Sequence, residues 1–315
     1  MLAILNVTAP FFVLILCGFL AARFRLLPEN AVPALNTFVL WFALPCMLFR
    51  FAAQTPFGEL AKPEVFLAYA TAGLMMLAMV AAVVRFAGGE RLADAAFTGL
   101  AASWSNWGYM GFALIPAMLG EAALPTLISA GMADLFIVVS ASLALASLEG
   151  RRGGGLAPAL AGIVVRVAKN PMIWAVVLGA GFTGFELALW RPADEVARLL
   201  GDSAVPVALF TIGVSLYRPG TRASRNQVLA ISALKLVAHP YLVAVVAIYL
   251  FHLSTLDVRT LALAAALPVG GSVYLFAERA GANADRIAAS ILVSTALAFV
   301  SFAALCWAFG VTPVG

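Results

Sequence analysis

The chain has 315 residues, 63% of them hydrophobic and only 11% charged, with a formal net charge of +4. A mean hydropathy of +1.02 excludes an ordinary soluble domain and makes lipid the solvent of most of the surface. The basic residues are spread through short connections and form no patch or stripe, which removes the electrostatic footprint of nucleic-acid binding.

A spanning helix needs about 20 predominantly apolar residues. The chain supplies ten such stretches, near residues 3–22, 31–52, 64–86, 94–119, 121–147, 161–183, 194–217, 227–251, 258–279 and 285–310. Long continuous runs, with no short alternating segments, predict an all-α polytopic membrane protein and not a β-barrel. The first run has no basic residue before it and Arg23 and Arg25 after it, the pattern of a retained span and not of a cleaved signal. Arg50 lies just beyond the core of the second span and is read as snorkelling to the outer interface. Cys17, Cys46 and Cys306 fall in three different spans without metal or dithiol spacing, so they are read as packing.

The fourth span is interrupted. In 103-SWSNWGYMGFALIP-116, Ser103, Ser105 and Asn106 supply donors and acceptors beside Gly108, where the backbone can be approached closely. Trp104, Trp107 and Tyr109 flank Asn106 and are read either as packing or as an aromatic wall beside an anion site. The fifth span carries Asp134, an ionisable group well away from its ends. After it comes 149-EGRRGGGLAP-158, the most polar and glycine-rich connection in the chain, which predicts a first repeat over 1–148, a linker over 149–160 and a second repeat over 161–315.

Beyond the linker, Pro171 opens the sixth span as Pro10 opens the first, and 204-AVP-206 breaks the seventh as 43-ALP-45 breaks the second. Both pairs are 161 residues apart. An odd number of spans per half inverts the second half, so the expectation is two inverted five-helix repeats. The eighth span holds Lys235 and His239, four residues apart and therefore on one helix face. Two readings stay open. In one, Lys235 attracts an anion while Asp134 and His239 carry protons; in the other, Lys235 and Asp134 form a buried ion pair and His239 bonds a backbone carbonyl. The ninth span, 267-LPVGGSVYLFAERAG-281, is interrupted like the fourth. Pro268 removes a backbone donor, and Gly270, Gly271 and Ser272 loosen the backbone immediately after it.

Hydrocarbon cannot solvate the backbone groups that such breaks free, so a break must line a polar cavity or pack against protein. Half-helix N-termini exposed there supply positive dipole ends for an anionic substrate. Small-residue helix packing explains one interrupted span; two in corresponding positions predict a carrier's binding site. With alternating loops, thirteen of the nineteen basic residues fall on one side, so the positive-inside rule places both termini outside a cell inner membrane. No HExxH, CxxC, phosphate-binding glycine loop or nucleophile elbow occurs, and no carbonyl filter or charged ring, so neither an enzyme, a cofactor or metal site, nor a channel is expected.

The segments 35-LNTFVLWFALPCMLF-49, 103-SWSNWGYMGFAL-114, 204-AVPVALFTIGVSL-216, 263-LAAALPVGGS-272 and 292-LVSTALAF-299 together resemble the auxin efflux carrier family, in its bacterial branch related to plant PIN-type carriers. The resemblance implies a scaffold of spans 1, 2, 6 and 7 that mediates homodimers, and a transport domain of spans 3–5 and 8–10. It also implies that the broken fourth and ninth helices cross, that a small carboxylate such as malonate, malate or an auxin-like acid binds beside Asn106 and Pro268, and that transport is elevator-like. A sodium-coupled bile-acid-type symporter and a non-transporting anion sensor are the competing expectations. One departure stands out: where the family usually has a proline two residues after the second glycine of the fourth-span motif, this chain has Ala113, which predicts a shifted or softened break.

Overall fold

The computed structural model describes residues 2–28, 30–55, 62–148, 171–187, 189–217 and 223–311. The linker expected over 149–160, the start of the sixth span, and the basic residues Arg151, Arg152, Arg166, Lys169, Arg218 and Arg222 lie outside the described residues. Those described are overwhelmingly helical: α1 (Leu2–Arg23), α2 (Ala31–Gln54), α3 (Pro63–Ala87), α4 (Leu92–Ser103), α5 (Trp107–Leu119), α6 (Glu121–Ser147), α7 (Pro171–Gly184), α8 (Arg191–Leu216), α9 (Arg225–Leu250), α10 (Thr255–Ala265), α11 (Ser272–Arg279) and α12 (Ala284–Ala308). Seven helices among the described residues, α2, α3, α6, α8, α9, α12 and residues Asn6–Arg23 of α1, are long and apolar enough to cross a bilayer, and α5 and α7 are shorter apolar helices. The protein is a multi-pass membrane protein.

Helix boundaries are set by local chemistry. Gly120, at φ +81°, ends α5 in a conformation that L side chains rarely adopt. The Ser254 hydroxyl accepts the N–H of Asp257 to open α10, and the Asn283 carboxamide accepts that of Arg286 to open α12, caps worth about 1 kcal/mol each. Wide π turns interrupt the longer helices at Val39–Ala43, Val83–Ala87, Asp134–Val138, Leu234–Ala238 and Val246–Leu250.

Two compact units emerge. One comprises the described parts of Met1–Ala9, Pro63–Ile163 and Arg218–Gly315. Its core is built from small residues: Ala68, Ala72, Ala130, Ala133, Ala247 and Ala265 surround Tyr69 and Leu261, while Leu77, Phe97, Leu100, Trp104, Val269 and Ile287 form a second cluster. A polar clasp closes one end, where the nearly buried Arg286 pairs with Glu90 through two hydrogen bonds of 2.9 and 2.6 Å and Gln227 donates to Glu90 at 2.9 Å.

The other unit comprises the described parts of Pro10–Lys62 and Val164–Tyr217. Its helices meet backbone to backbone. A Cβ at Gly18 would fall 2.0 Å from the Phe210 carbonyl oxygen, and one at Gly179 would fall 2.5 Å from that of Phe49. The two glycines are 161 positions apart, and so are the two phenylalanines. Arg50, expected to snorkel alone, instead forms an ion pair with Asp194 at 2.6 Å. The cause is a contact between α2 and α8 that joins residues 144 positions apart and that no local pattern announces.

Candidate functional site

The candidate site lies wholly within the first unit, at the two interruptions. Helix α4 ends at Ser103, Trp104 is extended, and Asn106 opens the π turn Trp107–Gly111 that begins α5. Helix α10 ends at Ala265 and α11 starts at Ser272. Between them the chains pair as an antiparallel bridge at Ser105 and Val269. The Asn106 N–H donates to the Pro268 carbonyl at 3.0 Å and the Gly270 N–H to the Trp104 carbonyl at 3.3 Å. Ser294 of α12 accepts the Val269 N–H at 3.1 Å, and Asp134 accepts the Ser105 N–H at 3.4 Å. The N–H groups of Ser105, Asn106, Val269 and Gly270, which the breaks would strand in hydrocarbon, are thus satisfied by two backbone carbonyls and two side chains. Ala113 lies inside α5, and the break precedes it.

The glycines divide by what surrounds them. A Cβ on Gly270 would stand 2.3 Å from the Trp104 ring and 3.0 Å from the Ser105 carbonyl oxygen, so only glycine lets these segments approach. At Gly108 and Gly271 a Cβ would meet nothing within 4 Å, so open space adjoins the N-terminal turns of both α5 and α11. Asn106 is 5% exposed, and no hydrogen bond engages its carboxamide among the described residues. Tyr109 and Ser272 are half-buried in the first turns of the two half-helices. Ser103 is turned back into its own helix, bonding the carbonyls of Gly99 at 3.0 Å and Leu100 at 3.3 Å.

A second layer of polar groups, all fully buried, holds the bridge in place. The Lys235 ammonium reaches the Ser105 hydroxyl at 2.9 Å, His239 Nδ1 at 3.2 Å and the Ala265 carbonyl. Tyr69 Oη lies 2.9 Å from the same Ser105 hydroxyl, and its ring meets that of His239 edge to face at 5.9 Å. Asp134 and Lys235 therefore connect through Ser105, with no direct ion pair between them among the described residues. Asp134 Oδ1 and His239 Nε2 have no hydrogen-bond partner among the described residues. Asp134 opens one π turn and Lys235 sits in another. Such turns shift side chains off the regular helical face and concentrate at functional sites.

The structure therefore gathers Ser105, Asn106, Gly108, Pro268, Gly270, Gly271, Asp134, Lys235 and His239 around one bridge. Two contributors escape a sequence reading. Tyr69 gives a faint signal, because a phenol deep in an apolar span calls for a hydrogen-bond partner. Ser294 gives none, since a serine inside a helix ordinarily returns its hydroxyl to its own backbone. Among the described residues, no group of three or more His, Cys, Asp or Glu is placed to hold a metal ion.

Residues 3–152 and 159–306 match the family described as "Membrane transport protein". A Rhizobium meliloti (strain 1021) protein described as "Putative malonate transporter" is 31% identical over 313 residues, covering 97% of this chain and 95% of that one. The "Uncharacterized transporter YfdV" of Escherichia coli (strain K12) is 25% identical, with 94% of each chain covered. An "Uncharacterized transporter" of Methanothermobacter thermautotrophicus is 23% identical over 92% of this chain and 93% of its own.

Proposed function

The chain belongs to the membrane transport protein family, the auxin efflux carrier family that its sequence resembles, and from that premise we propose that it is a secondary carrier of small organic carboxylates. The observation that carries the proposal is the Asn106 carboxamide, which has no hydrogen-bond partner among the described residues and lies beside a helix break, next to the open space at Gly108 and Gly271. There a carboxylate accepts from the Asn106 amide and from N–H groups of the first turns of α5 and α11, which have no acceptor within their helices. Lys235 adds positive potential at short range, and Asp134 and His239, each with an unpartnered buried atom among the described residues, are the proposed proton carriers. The name of the Rhizobium meliloti relative makes malonate the first substrate to try.

In this reading the unit containing α3–α6 and α9–α12 is the transport domain of an elevator-type mechanism. The unit containing α2, α7, α8 and most of α1 is the scaffold, through which a homodimer forms. Two inverted repeats are supported by the recurrence of one contact: Gly18 against Phe210 and Gly179 against Phe49 use the same residue types at the same 161-position offset. The protein resides in a cell inner membrane with both termini outside.

Counterflow in proteoliposomes with a panel of mono- and dicarboxylates, with and without sodium and a pH gradient, tests the proposal. Asn106→Ala should lower uptake about 10- to 100-fold, the loss of one hydrogen bond to a charged group, with folding unchanged. Unaltered uptake by Asn106→Ala removes that residue from the site, and the absence of exchange with every carboxylate favours a sensor.

A further inference from the structure

We infer that Lys235 is a tethered cation, occupying between the two helix breaks a coordination site of the kind that takes a small monovalent cation, so that this carrier works without sodium. The C-terminal ends of half-helices are electronegative, and freed carbonyls there are natural ligands for a coupling ion. In α10 the carbonyls of Ala262, Leu263 and Ala264 accept the N–H groups of Ala266 and Leu267. The next carbonyl, that of Ala265, is met by the Lys235 ammonium. The same ammonium takes the hydroxyl of Ser105, two residues past the end of α4, at 2.9 Å. His239 Nδ1, at 3.2 Å, is the third partner, and an ammonium has three N–H groups to give. A carbonyl oxygen from α10, a hydroxyl oxygen from the bridge and an imidazole nitrogen from α9 thus converge on one fully buried cation.

The ligand set is complete in a way that leaves a free ion no role. All three acceptors are met by a charge covalently attached to α9, so the negative end of α10 is neutralised without an ion from solution. The site's cation neither arrives nor leaves. Removing the side chain while keeping its acceptors should create a site for a small cation from solution, methylammonium or sodium being the probes.

The experiment has a stability arm and a transport arm, and only the second rests on the carrier reading. Thermal unfolding in detergent is monitored in choline, sodium, potassium and methylammonium chlorides at fixed ionic strength. The wild-type midpoint should be the same in all four. Lys235→Ala should unfold earlier in choline and be restored saturably by methylammonium or sodium, as a ligand that binds only the folded state requires. Lys235→Met, which fills the space with an uncharged side chain, should not respond. In proteoliposomes wild-type uptake should be independent of sodium, whereas Lys235→Ala should lose about tenfold or more in choline and recover in the cation that restores its stability. Sodium-dependent uptake by the wild type overturns the inference. So does full uptake by Lys235→Ala in choline, or a folded Lys235→Ala that no cation stabilises. Should Lys235→Ala fail to fold in every salt, sodium dependence of the wild-type midpoint decides the matter alone. A wild type that exchanges no carboxylate defeats the carrier reading, while the stability arm still judges the cation site.

Discussion

Ser105→Ala is the sharpest probe of how the bridge is held. The Ser105 hydroxyl meets Tyr69 Oη at 2.9 Å and the Lys235 ammonium at 2.9 Å, and all three side chains are fully buried. Alanine leaves one phenol and one ammonium N–H without a partner. A buried donor stripped of its partner costs about 1–3 kcal/mol, so two cost about 2–6 kcal/mol if nothing relaxes. Hydrogen bonds inside membranes have averaged only about 0.6 kcal/mol, because the membrane-inserted unfolded state also finds partners. The charged donor weights the result upward and the solvent effect downward, giving an expected loss of about 1–4 kcal/mol. Reversible unfolding in mixed micelles with graded SDS, read by tryptophan fluorescence, measures it. Tyr69→Phe removes one end of the same bond, so the double variant should be less destabilised than the sum of the singles by about 0.5–1 kcal/mol. Strict additivity, or a Ser105→Ala stability within about 0.5 kcal/mol of wild type, would refute this account of the bridge.

The glycines give three further tests. Gly270→Ala puts a methyl group 2.3 Å from the Trp104 ring and should cost about 1–3 kcal/mol with a parallel loss of uptake. Gly108→Ala and Gly271→Ala, in open space, should fold normally yet raise the apparent KM for carboxylate. Normal KM values for both would exclude the proposed anion position. In the second unit, Gly18→Ala and Gly179→Ala force a methyl group to 2.0 and 2.5 Å from a carbonyl oxygen and should each destabilise by about 1–3 kcal/mol. Detergent thermal melts in which one is tolerated and the other is not would break the equivalence of the two contacts.

Legibility in the sequence tracks the reach of the physics. Stretches such as 64–86 and 121–147 are legible because bilayer thickness sets helix length, and the observed helices Pro63–Ala87 and Glu121–Ser147 differ at their ends by a residue at most. The interruptions are legible because asparagine, proline and paired glycines have few other uses in hydrocarbon. Their register is not: that Ser105 faces Val269 depends on how α4 and α10 lie, and nothing in either segment encodes the other's depth. Ser294 and Tyr69 are hidden for the same reason, since each serves a backbone or side chain brought from another helix. The π turns at Asp134 and Lys235 are hidden because one extra residue per turn leaves no mark on an alanine- and leucine-rich pattern. Arg50 shows the converse error, an isolated charge at a span end whose partner Asp194 lies on another helix.

The geometry of the breaks also gives a reason why two are paired. A single interrupted helix exposes electronegative carbonyls on one side of the gap and electropositive N–H groups on the other, so by itself it selects neither sign. At the α10 break the Ala265 carbonyl is engaged by a lysine that cannot diffuse away, while the N–H ends of α5 and α11 open on the space at Gly108 and Gly271. Neutralising the carbonyl end of the α10 break leaves the N–H ends as the net character of the proposed site, which would then attract an anion. In the proposed site the lysine would act on a carboxylate through the field of a fully buried charge, which salt screens far less than a surface charge. A weak dependence of carboxylate affinity on ionic strength, at constant cation identity, is the corollary that distinguishes this arrangement from recognition by exposed arginines.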